Sequence, residues 1–522
     1  MGHILGIPED FDPAHSLCIV VLLAGCTVSA ATYHVDCNSG SDQNSGTSPD
    51  EAWSTLAPVK AQALQPGDTV RCKRGCTWDG GLSFSSRSGE DGSPIVLTSY
   101  GSGDLPVLRN PGENHILDFV DSDWWEIDRI AVRDCQEGGV TIRDGSDNVT
   151  LRNLDISGTG FGAWVEGKGN TVLSCDIHQL HIVNNTPGGD DDYGAVAIVL
   201  SEASGIEVAH NTMENCKDVS YDYGHDGGAV ETWRSVSNAR IHHNVATGCE
   251  GFFEAGGVTG DTVRNLLFSY NVSIENGVFM VCHTGGTSNF GVAFDSIRLE
   301  NNTVVQGSEI YCSIIFHDVD PPDPSVFALH NNIFHVHDFV AVVNSSVLTH
   351  THNLYHETGE TTDAGLPLGA GEKTGDPLFI DPAQSDYRLQ ENSPAVDAGM
   401  DLGHTADIDG HAVPQGDAPD MGAFEYGSTV ARQASIRGHS RAKLVVRSSG
   451  STPCLVFDAG DPARLEACVV TLSGQTVMRT KQRACTSRHL TMRLPAALAP
   501  GAYICRISGT GLKETRRIVF FR

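Results

Sequence analysis

Positive charge is scarce in this chain. Its 522 residues hold 34 Lys+Arg against 65 Asp+Glu, a formal net charge of −31. Affinity for a nucleic-acid backbone rests on clustered Lys and Arg, so a phosphate-tracking protein is excluded. Charged residues of both signs make up only 19% of the chain and hydrophobic ones 40%, which is not the composition of a disordered protein. Beyond residue 30 no apolar run approaches the roughly 18 residues of a membrane-spanning helix, so no transmembrane segment is expected there. Zinc-finger spacing is missing too: Cys72 and Cys76 have three residues between them, but no second Cys/His pair follows at the right distance. A disulfide to Cys37 or plain burial is the expectation for that pair.

Glycine, by contrast, is plentiful. The 57 Gly are roughly 11% of the chain against a usual ~7%, which favours many tight turns and short strands over long helices. Charge is unevenly placed. From Ala431 onward there are 16 Lys/Arg and 4 Asp/Glu, whereas the residues before it hold 18 basic and 61 acidic side chains, a net of −43. The small polar stretch around 427–450 reads as the linker between two unlike parts. At the other end, Leu17 to Ala30 is an apolar segment closing on Val28-Ser29-Ala30, as in an export signal, although Met1 to Ser16 lacks Lys or Arg. Leu23-Ala24-Gly25-Cys26 is a competing lipid-attachment site. The expected organisation is a signal at 1–30, a main domain at 31–426, a linker at 427–450 and a small domain at 451–522, with an extracellular or cell-surface destination.

The main domain repeats. Short strands ending in Asn recur at Asn153, Asn211, Asn244, Asn271, Asn301, Asn331 and Asn353, and after Asn211 the spacings run from 22 to 33 residues. Such periods, with alternating apolar residues and no helical pattern, fit one coil of a β-solenoid with about three strands per coil. Each Asn is expected to bond backbone at a turn and to stack on the next. Cys216 and Cys249, each five residues past its Asn, are expected to stack inside the coil.

The pattern over roughly 32–426 resembles the right-handed parallel β-helix carbohydrate-active enzymes, the pectate-lyase-like superfamily. Tyr33-His34-Val35-Asp36, Ala52-Trp53-Ser54-Thr55-Leu56 and Pro66-Gly67-Asp68-Thr69-Val70 look like the entry segment of bacterial members. Ser393-Pro394-Ala395-Val396-Asp397-Ala398-Gly399 and Asp420-Met421-Gly422-Ala423-Phe424-Glu425-Tyr426 look like the segment that closes such helices. The resemblance implies an all-β fold and a glycan substrate. Because lyases, hydrolases, epimerases and inert surface proteins share this architecture, chemistry has to be read from the residues.

Four segments align from a leading Gly: Gly194, Gly228, Gly251 and Gly277. Strand alternation turns their third positions outward, namely Ala197, Glu231, Glu254 and Met280. Glu231 and Glu254 then stand on one outer face in neighbouring coils, about 4.8 Å apart at their α-carbons. Two stacked glutamates repel, and a proton held on one beside a charge on the other is the arrangement that glycosidic cleavage needs. Certain β-helix xylosidases are similar in placing an acid pair one coil apart. Asp226 is the third candidate catalytic residue. Trp233, His225, His283, His317 and Asp192 are candidate substrate contacts, because inserted turns on one edge of a solenoid build its cleft. This hydrolase reading needs no cofactor.

Two other readings stand beside it. Asp191, Asp192 and Asp222, with Asp190 and Asp226 nearby, offer oxygen ligands of the kind Ca²⁺ prefers, and the resembling pectate lyases use calcium to neutralise a uronate. Lys217 or Arg234 would be the base in such a lyase. The third reading is a non-catalytic adhesin. At the C-terminus, six or seven short strands suggest a small β-sandwich, whose Gly501-Ala502-Tyr503 strand and basic last strand resemble the sorting domain of type IX secretion. That resemblance implies the outer-membrane secretion machinery as a partner; an appended carbohydrate-binding sandwich is the alternative.

Overall fold

The computed structural model describes residues 30–427, apart from 285–290, 308–311, 318–324, 342–347 and 360–364, together with the backbone of seven strands between Lys443 and Phe520. The export segment and most of the linker lie outside the described residues. Two compact units are present, Met1–Ser428 and Thr429–Arg522.

The first unit is a right-handed parallel β-helix. Its coils contribute to one parallel sheet of 22 strands and a second of 12. One coil runs through Gly228–Ser237, Arg240–His242 and Val245–Thr247. On the next coil Phe253 lies on Val230, Phe268 on Ile241 and Ser273 on Ala246. Apolar residues at alternate positions fill the bore, and a single core cluster runs from Val35 to Leu366. Among the described residues no helix is long and apolar enough to cross a membrane.

The asparagine ladder is present, one residue later than expected where the sequence has Asn-Asn. His210, His243, Tyr270, Asn301, Asn331 and His352 all take φ between 53° and 58°. That left-handed bend turns the following side chain inward, so the ladder is Asn211, Asn244, Asn271, Asn302, Asn332 and Asn353. Each backbone N–H and each Nδ2 donates to the Oδ1 of the next Asn at 2.8–3.1 Å. Asn301 and Asn331 instead hold the closing segment, donating to the carbonyls of Asp420 and Met400. Cys216 and Cys249 stack as free, buried thiols, while Cys37 and Cys76 are joined and Cys72 is simply buried.

The segments that carry the two motifs pack against the helix in different places. At the entry, Tyr33 stacks on Trp53 with centroids 5.1 Å apart. Gly46, at φ +74°, lies under that indole, where a Cβ would come within 2.4 Å of the ring. Phe379, Tyr387, Leu389, Met421 and Phe424 pack with Val272, Ile333 and Leu354 in a second core on the outer side of the 12-stranded sheet. Alternate residues of that sheet, Phe334 and Tyr355, face the bore, so this segment lies along the flank of the helix. The C-terminal unit has antiparallel sheets of three and four strands, the strand content of a small sandwich. Its first strand, Lys443–Ser449, lies within the span expected to be linker, because Leu444-Val445-Val446 supplies an apolar strand among the polar residues.

Candidate active site on the outer face of the β-helix

Glu231 and Glu254 are direct partners in the parallel ladder between Gly228–Ser237 and Gly251–Gly256. Their neighbours Val230, Thr232, Phe253 and Ala255 are buried in the bore, so alternation turns both glutamates outward. The column they belong to reads Trp164, Val199, Glu231, Glu254, Val281 and Ile315. Two expected members change. Val199 replaces Ala197, because Gly194 and Ala195 sit at positive φ before the strand, which begins at Val196. Val281 replaces Met280, because Gly251 pairs with Val278 rather than with Gly277.

Burial, and then the charges of Glu254 and Asp226, push the Glu231 carboxyl well above the usual range. Val199 lies on its other side in the column, and among the described residues its carboxyl receives no side-chain hydrogen bond or ion pair. Burial also raises Asp226, to about 7, with Glu254, Glu250 and Asp192 adding to the shift and a hydrogen bond from the Gly227 N–H opposing it. Neither arginine reaches the pair: Arg234 lies 3.5 Å from Glu202 and Arg240 4.0 Å from Glu207. Lys217 lies 3.9 Å from Glu250. Glu254 is met by His283, whose Nε2 is 2.9 Å from Oε1. His317 stacks on His283 at 4.9 Å and 12°. The result is two carboxyl groups, Glu231 and Asp226, whose protonated forms burial and neighbouring charge favour, beside a third that an imidazole holds in place, an arrangement that can both donate and accept protons at one spot.

The other candidates divide. The Trp233 indole lies across Gly256 beside His283: a Cβ there would meet Cζ3 at 3.2 Å and His283 Cδ2 at 3.6 Å. It also packs against Phe161, Val196 and Val199. His225 is exposed on the hairpin of Asp218–Ser220 and Gly224–Asp226, opposite Val219, and does not join the acid pair. Asp192 is a loop staple, 5% exposed, with Thr186 N donating to Oδ1 and Ser220 Oγ and Asp222 N to Oδ2. Burial would raise its pKa, but these bonds hold it below the usual value.

Asp191, Asp192 and Asp222 do bring ligand oxygens within 4.8 Å of one another. Both Asp192 oxygens are engaged, Asp222 Oδ2 accepts from Asp191 N, and Asp191 Oδ1 from Thr186 Oγ1. Calcium takes about six to eight oxygens, so this donor set fits a tie between two loops better than an ion.

The sequence reading missed the coil two before Glu231. Phe161, Trp164 and Tyr193 form an aromatic group there, with ring centroids 5.2 and 6.1 Å apart from Phe161. Gly160-Phe161-Gly162-Ala163-Trp164 opens with the same glycine signal as the four aligned segments and marks the missing rung.

The family described as right handed beta helix region matches residues 116–291, which include this site. A lacto-N-biosidase of Bifidobacterium longum subsp. longum is 32% identical over 145 residues, 26% of this chain and 9% of that protein. Pectate lyase 2 of Pectobacterium carotovorum is 23% identical over 138 residues, 26% of this chain and 35% of the lyase. The chain thus spans well under two thirds of the length of these curated relatives. Among solved structures, that of pectate lyase Pel9A is similar with a TM-score of 0.52 and 16% identity, over 76% of this chain and 97% of that one. The likeness is one of fold: a right-handed parallel β-helix, carried on its outer face by the coils that hold Glu231 and Glu254.

Proposed function

We propose that this protein is a secreted enzyme that hydrolyses glycosidic bonds in a plant cell-wall type polysaccharide. The observation that carries the reading is the direct stacking of Glu231 on Glu254 with no cationic side chain between them among the described residues, at a position where burial first, and then the charges of Glu254 and Asp226, favour the protonated Glu231. Glu231 donates that proton to the leaving glycosidic oxygen. Glu254, oriented by His283, attacks the anomeric carbon from the next coil. With the α-carbons one strand spacing, ~4.8 Å, apart, side-chain rotation places the carboxyls roughly 4–7 Å apart, a range that includes the ~5–5.5 Å of retaining enzymes and so accommodates the nucleophile role. Trp233 supplies a ring face for a sugar at the edge of the acid pair. The carbohydrate-active relatives support the substrate class. Export through residues 1–30 and sorting through the basic C-terminal unit would bring the enzyme to it.

The test is a screen of neutral and acidic plant polysaccharides with and without chelator, reading products by mass. Hydrolysis adds one water per bond broken. Glu231→Gln and Glu254→Gln are expected to lower kcat by about 10²–10⁴-fold each. Cleavage that survives both changes would remove the assignment. Unsaturated products lost on chelation would replace it with a calcium-dependent lyase acting through the Asp191–Asp222 loops, and binding without cleavage would leave an adhesin.

A further inference from the structure

The turn after the second strand of each coil places one residue in the left-handed region, and in two successive coils that residue is histidine, His210 and His243. Equivalent turns stack, so their rings lie together on the outside of the helix, with centroids 4.9 Å apart. His242, the ladder partner of Ala209, joins them. Nitrogens of all three imidazoles lie within 4.8 Å of one another, the one triple-histidine group of this kind among the described residues.

Hydrogen bonding fixes which nitrogens carry lone pairs. His242 Nε2 is 2.9 Å from Glu207 Oε1. A carboxylate accepts, so Nε2 bears the hydrogen and Nδ1 is bare. That bare Nδ1 faces His243 Nδ1 at 2.8 Å. Two ring nitrogens so close need a proton or a cation between them. A shared proton would employ two rings only, whereas here a third imidazole converges on the same point. Glu207 completes the carboxylate–histidine arrangement that orients metal-bound imidazoles.

We infer that His210, His242 and His243 form a binding site for a divalent transition-metal ion such as Zn²⁺, with Glu207 orienting His242 and water in the fourth position. Zinc–nitrogen bonds of ~2.0–2.1 Å in a tetrahedron put the nitrogens roughly 3.3 Å apart, within small side-chain rotations of the distances present. His210 is exposed, which leaves the fourth position open to solvent. The ion would pin two coils together. Because His243 stacks on Tyr270 at 5.5 Å and Tyr270 meets His404 at 5.2 Å, it would also stiffen the contact with the closing segment. A second facing pair, His335 and His356 with Nδ1 atoms 2.9 Å apart, has no third imidazole within such range and serves as the comparison.

The full chain without a polyhistidine tag, stripped with chelator and dialysed, is titrated with Zn²⁺ by calorimetry and with Co²⁺ by visible absorption. One equivalent is expected to bind, with intense tetrahedral Co²⁺ bands. His210→Asn, which tolerates the left-handed backbone, is expected to weaken binding at least about tenfold, and Glu207→Gln about 10–100-fold. Absence of stoichiometric binding overturns the inference. So does binding that is unchanged in His210→Asn, or that is lost in His356→Ala or Asp191→Asn instead.

Discussion

Asp226 sits at about 7 because it is buried among carboxylates, and its charge in turn raises Glu231. Above pH ~7 an ionised Asp226 therefore helps Glu231 keep its proton. Asp226→Asn removes that help. The alkaline limb of kcat/KM is expected to move to lower pH, with the acidic limb little changed; a limb that stays in place would mean that Asp226 does not face the acid. The acid pair itself was legible in the sequence, because a strand has a period of two and Glu231 and Glu254 occupy matching places after their glycines. His283 was legible only as a strand end: nothing local says that its ring reaches Glu254 across one coil. The surroundings of Asp192 were hidden for a related reason. Nothing in an acidic run says that its oxygens are engaged, here by Thr186 N of the same loop and by Ser220 Oγ and Asp222 N of the next coil.

A coil is held to the next by apolar columns and by the asparagine ladder, and the ladder is the part that side-chain chemistry can break. Asn271 is fully buried; its Nδ2 donates to Ile241 O at 2.8 Å and to Asn302 Oδ1 at 3.0 Å, and its Oδ1 accepts two bonds from Asn244. Asn271→Ala strands the Ile241 carbonyl and the Asn244 backbone N–H inside the turn. At about 1–3 kcal/mol for each of the two unpaired groups, a loss of about 2–6 kcal/mol is expected, measured as the shift in denaturant unfolding. A change under ~0.5 kcal/mol would show that water replaces the amide. The coil period was readable from these asparagines, but the register was not at Asn301-Asn302 and Asn331-Asn332. Two identical residues carry no sign of which one takes the left-handed turn. The same limit shifted the aligned strands at Gly194 and Gly277, where two extra turn residues or a one-residue offset leave the apolar pattern nearly intact.

For the molecule as a whole, the closing segment ties stability to pH in an unusual direction. It is built on three buried carboxyls, Asp407, Asp420 and Glu425, at 0%, 3% and 2% exposure. Both Glu425 oxygens accept backbone N–H groups, from Asp420 and Gln415. Even so, burial, with Asp420 and Asp407 adding to it, raises Glu425 from 4.5 to about 7. The folded state therefore holds this proton more tightly than the unfolded chain. Its contribution is complete below pH 4.5 and is lost as pH rises through about 7, worth about 3 kcal/mol over that window. Asp226 acts in the same sense. Asp118 and Asp155 act oppositely: despite burial, hydrogen bonds from Arg143 and Thr141, and from His178 and Arg133, hold them below the usual range, so their contribution fails only in stronger acid. The carboxyls alone therefore make stability decline from pH 5 towards pH 8. His243 and His335, which burial holds down to about 3 and about 4, contribute above pH 6.5 and lose that contribution as pH falls, so the Glu425 contribution is read from the difference between wild type and Glu425→Gln. Glu425→Gln should lower stability at pH 5, where it forfeits an acceptor, and flatten the decline towards pH 8. Melting followed by circular dichroism across that range decides it. A stability difference between wild type and Glu425→Gln that does not shrink from pH 5 to pH 8 would mean that the Glu425 carboxyl ionises without cost, and that the segment opens to water more readily than its burial implies.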